Sequence, residues 1–330
     1  MSHRIGLKTK IEIIRKTVGG GIGNPHFASL FITRKCNLTC PYCESINHDY
    51  EDVDTEQWFR IIDRLYDWGV RVFSLTGGEP TVRHDIYKIV EYISKTKKSV
   101  CWMISNFKKM KESQIIRYKE SGLSFLTCSL DSFSQIGVKS ESSVLPMLAF
   151  AKKQGIVCST LTVVTKKNIH EIPEILKEVT QRGFIFDMGL YQHVGGIFSP
   201  KDDSLKVTDR KALEDLRTLL RSHKYKTGLV GPSLSYLSAP LDQYRDSSWK
   251  CSSTKDHYLV VNNDGRLMTC QEYLNNVHVL EIETLKDPLW REEKKKTVEA
   301  CSGCFYGCYY QKENVALKDV LINTYALLKT

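Results

Sequence analysis

No run of about 18 apolar residues occurs in the 330-residue chain, so the sequence predicts no transmembrane helix. The opening residues, MSHRIGLKTK, lack the apolar core of an export signal, and a cytoplasmic protein is expected. There is no P-loop, no nucleophile elbow and no dinucleotide-binding fingerprint, which excludes the commonest phosphate, acyl and nicotinamide chemistries. Basic and aromatic residues do not interleave into a nucleic-acid surface, so no nucleic-acid partner is expected. Internal repeats and low-complexity segments are also missing.

What the chain has in quantity is cysteine. Eleven is many for a reducing compartment and odd for a disulfide framework. Their clustering argues for metal ligation instead. The rest of the composition, 42% hydrophobic and 26% charged, is that of an ordinary globular protein. The length suits one large α/β domain with a smaller one appended. The net charge of +9 is uneven. Residues 1–35 hold Arg4, Lys8, Lys10, Arg15, Lys16, Arg34 and Lys35 against Glu12 alone. Leu7, Ile11, Ile14 and Val18 recur there at helical spacing. An N-terminal extension over 1–26 is therefore read as a basic amphipathic helix. It either packs on the main domain with its lysines in water, or touches a membrane surface or an anionic substrate.

Downstream, strand and helix patterns alternate. Strands are expected at Phe27–Thr33, Val70–Leu75, Val100–Ser105, Phe125–Leu130, Ile156–Val164 and Phe184–Leu190. Helices are expected at Trp58–Trp68 (capped by Asp54 or Thr55), Ile86–Ser94, Glu112–Glu120, Val144–Lys153 and Ile172–Gln181. Six such βα units predict an α/β fold with a parallel sheet, curled by right-handed crossovers into an open (β/α)6 partial barrel; a doubly wound sheet also fits. The alternation fails after about residue 195. A helix at 208–223 precedes an irregular stretch at 224–250. Strands His257–Asn262 and Arg266–Thr269 flank the hairpin turn Asn263-Asp264-Gly265. Helices near 284–299 and Asn314–Leu328 complete a small C-terminal domain. The expected domains are 27–225 and 250–330.

Cys36, Cys40 and Cys43 stand at Cys-x3-Cys-x2-Cys spacing just after the first strand. Three soft thiolates within eight residues can hold an iron–sulfur cubane with one iron left open. A zinc site completed by His48 or His26 is the alternative. Thr76-Gly77-Gly78-Glu79-Pro80 follows the second strand. Its glycines admit a close backbone approach, and Glu79 can accept hydrogen bonds from an ammonium group. In a parallel barrel both loops open on the same mouth.

Cysteines so spaced, followed by Gly77-Gly78-Glu79-Pro80, resemble the radical S-adenosylmethionine superfamily over roughly residues 27–195. The resemblance implies a 4Fe–4S cluster on Cys36, Cys40 and Cys43, with S-adenosylmethionine chelating the open iron. Gly77, Gly78 and Glu79 would contact its amino group, and Tyr42 its adenine. Ser105, Asn106, Ser129 and Asp131, at strand ends, would touch its ribose or carboxylate, or simply cap their strands. Reductive cleavage would give a 5′-deoxyadenosyl radical that takes hydrogen from a substrate, with electrons from a flavodoxin- or ferredoxin-like donor.

Cys251, Cys270, Cys301, Cys304 and Cys308 form a second set. Four thiolates suffice for a closed 4Fe–4S cluster or a structural zinc. The Cys-x13-Gly-x4-Cys hairpin resembles the auxiliary domains called SPASM, or twitch in their one-cluster form. That resemblance favours Cys251, Cys270, Cys301 and Cys304 as ligands. Cys308 then replaces one of these, packs in a core, or donates a hydrogen atom to a substrate radical. Cys101, Cys128 and Cys158 are expected in the core. Tyr191, Gln192 and His193, after the sixth strand, are candidates for substrate contact. The expected substrate is a small molecule or biosynthetic intermediate, with a ribosomally made peptide as the alternative. Two other classes remain open: a zinc-stabilised binding scaffold, and an electron-transfer protein that makes no radical.

Overall fold

The computed structural model describes residues 7–18, 25–44, 51–134, 144–194, 203–314 and 316–329. Six parallel strands, β1 (Phe27–Thr33), β2 (Val72–Gly77), β3 (Val100–Ser105), β4 (Phe125–Ser129), β5 (Val157–Val164) and β6 (Ile185–Leu190), alternate with helices. These are α2 (Thr55–Asp67), α3 (Ile86–Glu91), α4 (Glu112–Glu120), α5 (Val144–Lys153) and α6 (Ile172–Gln181), after an N-terminal α1 (Leu7–Val18). With β7 (Tyr258–Val261), β8 (Arg266–Cys270) and β9 (Tyr273–His278), the order β6-β5-β4-β3-β2-β1-β7-β8-β9 leaves β6 and β9 at the edges, so the sheet is unclosed and the partial barrel is open. Asp54 starts α2 in a capping box with Gln57.

The strands' two-residue period sorts their side chains. Ala28, Leu30, Phe73, Leu75, Cys101, Met103, Leu126, Cys128 and Cys158 lie in the large core under the helices. The thiols of Cys101 and Cys158 are pushed up by burial, as expected of packed cysteines. Phe27, Val72, Val100, Phe125 and Val157 open their five strands and form a separate cluster with Ile13 of α1. The N-terminal helix thus packs across the lower end of the barrel. Lys10 of α1 also donates from Nζ to the Leu328 carbonyl at 2.8 Å.

The C-terminal segment continues the same sheet. After α7 (Arg210–Thr227), β7 (Tyr258–Val261) pairs parallel with β1, then β8 (Arg266–Cys270) and β9 (Tyr273–His278) follow antiparallel. Gly265 turns the β7–β8 hairpin at φ +82°, and a Cβ there would stand 2.1 Å from His278 Nε2. Arg34 holds the join through two bonds to Asn262 Oδ1, at 2.6 and 3.0 Å. The helices α10 (Pro288–Ala300), α11 (Gly307–Glu313) and α12 (Leu317–Lys329) complete the chain.

Three segments depart from the expected pattern. The stretch 224–250 is not wholly irregular: it contains α8 (Leu234–Ser238) and α9 (Leu241–Arg245). Each is five residues, too short to show a helical period. The strand β9 was not expected because Asn275 interrupts its apolar pattern; Asn275 is buried and satisfied by Thr269. The short α11 was hidden in the cysteine cluster. No helix among the described residues is long and apolar enough to cross a membrane.

Candidate functional site

The loop after β1 carries Cys36, Cys40 and Cys43, with Cys40 buried and the other two partly open. Cys43 N donates to Cys40 O at 3.0 Å, which tightens the loop's second half. The Gly77–Glu79 segment runs directly against it. Gly78 N donates to Thr33 O at 2.8 Å and Glu79 N to Lys35 O at 2.9 Å. A Cβ on Gly78 would lie 2.2 Å from Lys35 O, so only glycine permits this approach. The expected neighbourhood of cysteine loop and Gly-Gly-Glu turn is therefore present.

Glu79 is almost fully buried, at 1% exposure, and its carboxylate is well supplied with donors. Oε1 accepts from Ser105 Oγ at 2.8 Å, Thr81 Oγ1 at 2.6 Å and Thr81 N at 3.1 Å. Oε2 accepts from Asn106 N at 2.7 Å. Asn106 Nδ2 in turn donates to Asn37 Oδ1 at 2.8 Å and lies 3.9 Å from Cys36 Sγ. The end of β3 is so tied to both loops. Asn37 and Thr81 escaped the sequence reading, because small polar residues in loops carry no distinguishing pattern.

Tyr42 and Asp131 meet: the phenol donates to Asp131 Oδ2. Burial first, then the Asp131 carboxylate and Cys40, raise the phenol well above its usual pKa, so it stays a donor. Asp131 Oδ1 also accepts from Val163 N at 2.7 Å, fixing the carboxylate between β4 and β5. Ser129 ends β4 and is buried.

His26 is at the wrong end to complete a zinc site. It precedes β1, roughly 20 Å of strand from Cys36, and its carbonyl accepts from Arg71 N and Val72 N. His48 lies outside the described residues. Among these, no three His, Cys, Asp or Glu side chains are arranged to hold a metal ion. What matches an iron–sulfur cluster is the donor set, three thiols on one short loop, beside a backbone cradle that admits no Cβ.

The second cysteine set converges in space. Cys251, Cys270, Cys301 and Cys304 line one pocket with Trp249, Tyr273 and Tyr306, and Cys308 is not among its walls. Burial raises the thiols of Cys251 and Cys270, and takes those of Cys304 and Cys308 to about 12. Each of these thiols also feels at least one other cysteine of the set. Cys308 packs against the apolar cluster of Phe31, Val260, Met268 and Tyr309, which Cys251 and Cys270 also touch. Tyr306 donates to Glu272 Oε1 at 2.9 Å beside this pocket.

Of the three residues after β6, Gln192 ties the barrel to the second cysteine segment. Its Oε1 accepts from Phe305 N at 2.6 Å, while its Nε2 is buried without a partner. Tyr191 O accepts from Tyr244 OH at 3.1 Å, and His193 Nδ1 is a second buried orphan.

The site therefore sits in an open parallel α/β barrel, where a three-cysteine loop lies against a Gly-Gly-Glu turn. Residues 30–179 match the family model described as Radical SAM superfamily. Fe-coproporphyrin III synthase of Methanosarcina barkeri is 29% identical over 153 residues, 44% of this chain and 38% of the relative. PqqA peptide cyclase of Gluconobacter oxydans is 21% identical over 251 residues, 72% of this chain and 68% of the relative. The chain spans only 38% and 43% of the first two curated relatives it matches. Among solved structures, SuiB of Streptococcus suis bound to S-adenosylmethionine superposes with a TM-score of 0.64 at 19% identity, covering 93% of this chain and 78% of that one. At such identity the likeness speaks for the fold.

Proposed function

We propose that the chain is an enzyme that reductively cleaves S-adenosylmethionine and passes the resulting radical to a substrate carbon. The observation that carries this reading is the Glu79 network, which draws the cysteine loop, the Gly-Gly-Glu turn and the β3 end onto one mouth. Cys36, Cys40 and Cys43 would hold a 4Fe–4S cluster, which when loaded supplies the electron for C–S cleavage. Gly77, Gly78 and Glu79 would seat the ammonium of S-adenosylmethionine. Tyr42, Ser105, Asn106, Ser129 and Asp131 would orient its remaining parts. The buried, already satisfied Glu79 keeps its carboxylate oriented before the ligand arrives. Cys251, Cys270, Cys301 and Cys304 would hold an auxiliary cluster in a region we assign to 250–330, beside a radical domain at 27–225. Their convergence on one pocket supports that set over any containing Cys308.

The substrate class we favour is a small molecule or biosynthetic intermediate. A peptide is the second reading. It is favoured by the likeness to PqqA peptide cyclase over 72% of this chain, and by SuiB, which has also been solved bound to its precursor peptide SuiA. Protein loaded anaerobically with iron and sulfide, then reduced, should convert S-adenosylmethionine to 5′-deoxyadenosine and methionine. Cys36→Ala should abolish both products. Absence of 5′-deoxyadenosine from loaded, reduced parent protein overturns the proposal.

A further inference from the structure

The inward face of the barrel holds two opposite charges that do not pair. From β6, Asp187 lies on the lumen side, since Phe186 and Met188 belong to the outer core. From α11, Lys312 reaches over the Phe27 ring, 4.7 Å from its centroid. Tyr309 of the same helix packs edge-on against Tyr258 of β7, with ring centroids 5.1 Å apart. The helix α11 therefore spans from the β7 side towards β6, and its lysine enters the lumen between them. Asp187 and Lys312 feel each other electrostatically, yet no ion pair joins them among the described residues.

The surroundings make room for the carboxylate. A Cβ on Gly231 would stand 2.7 Å from Asp187 Cγ, so that position tolerates only glycine as the chain lies. One inward step further along β6, a Cβ on Gly189 would meet no heavy atom within 4 Å. The wall beside Asp187 thus opens on empty space. Among the described residues Asp187 accepts one bond, from Met188 N at 2.8 Å. The other nearby cation, Lys224, is engaged by Val230 O at 2.6 Å and Asn323 Oδ1 at 2.9 Å. The floor below is already satisfied: Trp102 Nε1 donates to Thr127 Oγ1, which shares a 2.6 Å bond with Ser159 Oγ.

Asp187 is half-buried and Lys312 is exposed, so both charged ends can be reached by a ligand in solution. Desolvation by the protein around them raises Asp187 to about 6 and lowers Lys312, so each charged form is disfavoured as the protein stands. A ligand bearing both complementary charges removes both penalties at once. A neutral or singly charged ligand leaves at least one in place.

We propose that Asp187 and Lys312 are the substrate-recognising charge pair of the lumen, and that their ligand is an amino acid or a small molecule ending in one. Its ammonium sits on Asp187 and its carboxylate on Lys312. The assignment deepens the small-molecule reading and rests on the lumen being the substrate chamber. Equilibrium dialysis of the cluster-loaded full chain against the twenty common L-amino acids, read by chromatography, tests it without any turnover. A failed cleavage assay therefore leaves this test intact.

At least one amino acid should be retained, and its N-acetyl and carboxamide derivatives should each bind at least about tenfold more weakly. Asp187→Asn should erase the discrimination against the N-acetyl form, and Lys312→Met that against the carboxamide. The derivative series on the parent protein decides the matter even if a variant misfolds. Retention of no amino acid overturns the proposal, and so does retention that both substitutions leave unchanged.

Discussion

Replacing Glu79 with glutamine tests the site's organisation most sharply, because it changes one atom's hydrogen-bonding character and almost no volume. The carboxylate accepts four bonds, three on Oε1 and one on Oε2. The glutamine oxygen would keep the three-donor side, so the amide nitrogen would face Asn106 N, a donor against a donor at 2.7 Å. The loss is one charge-assisted bond, about 1.5–3 kcal/mol, with Asn106 N–H left unsatisfied in a buried place. For a chain of this size that corresponds to a fall in melting temperature of roughly 2–4 °C. The β3 end should also drift from the cysteine loop, since Asn106 links the two. Melting followed by circular dichroism, beside 5′-deoxyadenosine formation in loaded protein, reads both consequences. If Glu79→Gln melts with the parent and cleaves S-adenosylmethionine within twofold of it, the carboxylate does not organise the site.

Three further outcomes are expected. Gly78→Ala places a Cβ against the Lys35 carbonyl, so it should separate the turn from the cysteine loop and lower S-adenosylmethionine binding at least about tenfold by anaerobic titration. Cys304→Ala should cost the auxiliary cluster, seen as about half the iron of the parent, whereas Cys308→Ala should keep the full content because Cys308 does not line the pocket. If Cys308 instead quenches a substrate radical, that variant keeps its iron and its adenosine but loses product. Finally, Asp187 has a raised folded pKa, about 6 against 3.8, so the folded state binds the extra proton and its penalty appears as pH rises through that window. With Lys224 and Lys312 the cations facing it, Asp187→Asn should melt above the parent near pH 7, by up to roughly 3 kcal/mol in stability. The gap should close towards pH 4; a constant gap would place the effect in packing.

The barrel was legible because its elements are long enough to carry a period. The helices Glu112–Glu120, Val144–Lys153 and Ile172–Gln181 and the strand Val100–Ser105 fall where the pattern puts them. The cysteine loop and Gly-Gly-Glu turn were legible because soft ligands at fixed spacing and paired glycines serve few other purposes. Where a partner lies far along the chain, one-dimensional pattern carries nothing. Nothing in the sequence joins Tyr42 to Asp131, or Gln192 to Phe305. The pairing of β7 with β1 is of the same kind. Asp187 was hidden for another reason: an acid inside the strand Ile185–Leu190 reads as a surface position until the sheet curls and turns that face inward.

Electron paramagnetic resonance on loaded, reduced protein, with and without S-adenosylmethionine, tests the central claim most directly. With an open iron on the Cys36–Cys43 loop, the analysis should find about eight iron atoms and matching sulfide per chain. One of two reduced-cluster signals should shift when S-adenosylmethionine is added, and that responsive signal should vanish in Cys36→Ala while the other persists. Zinc in place of iron, or signals that ignore S-adenosylmethionine, would contradict the account.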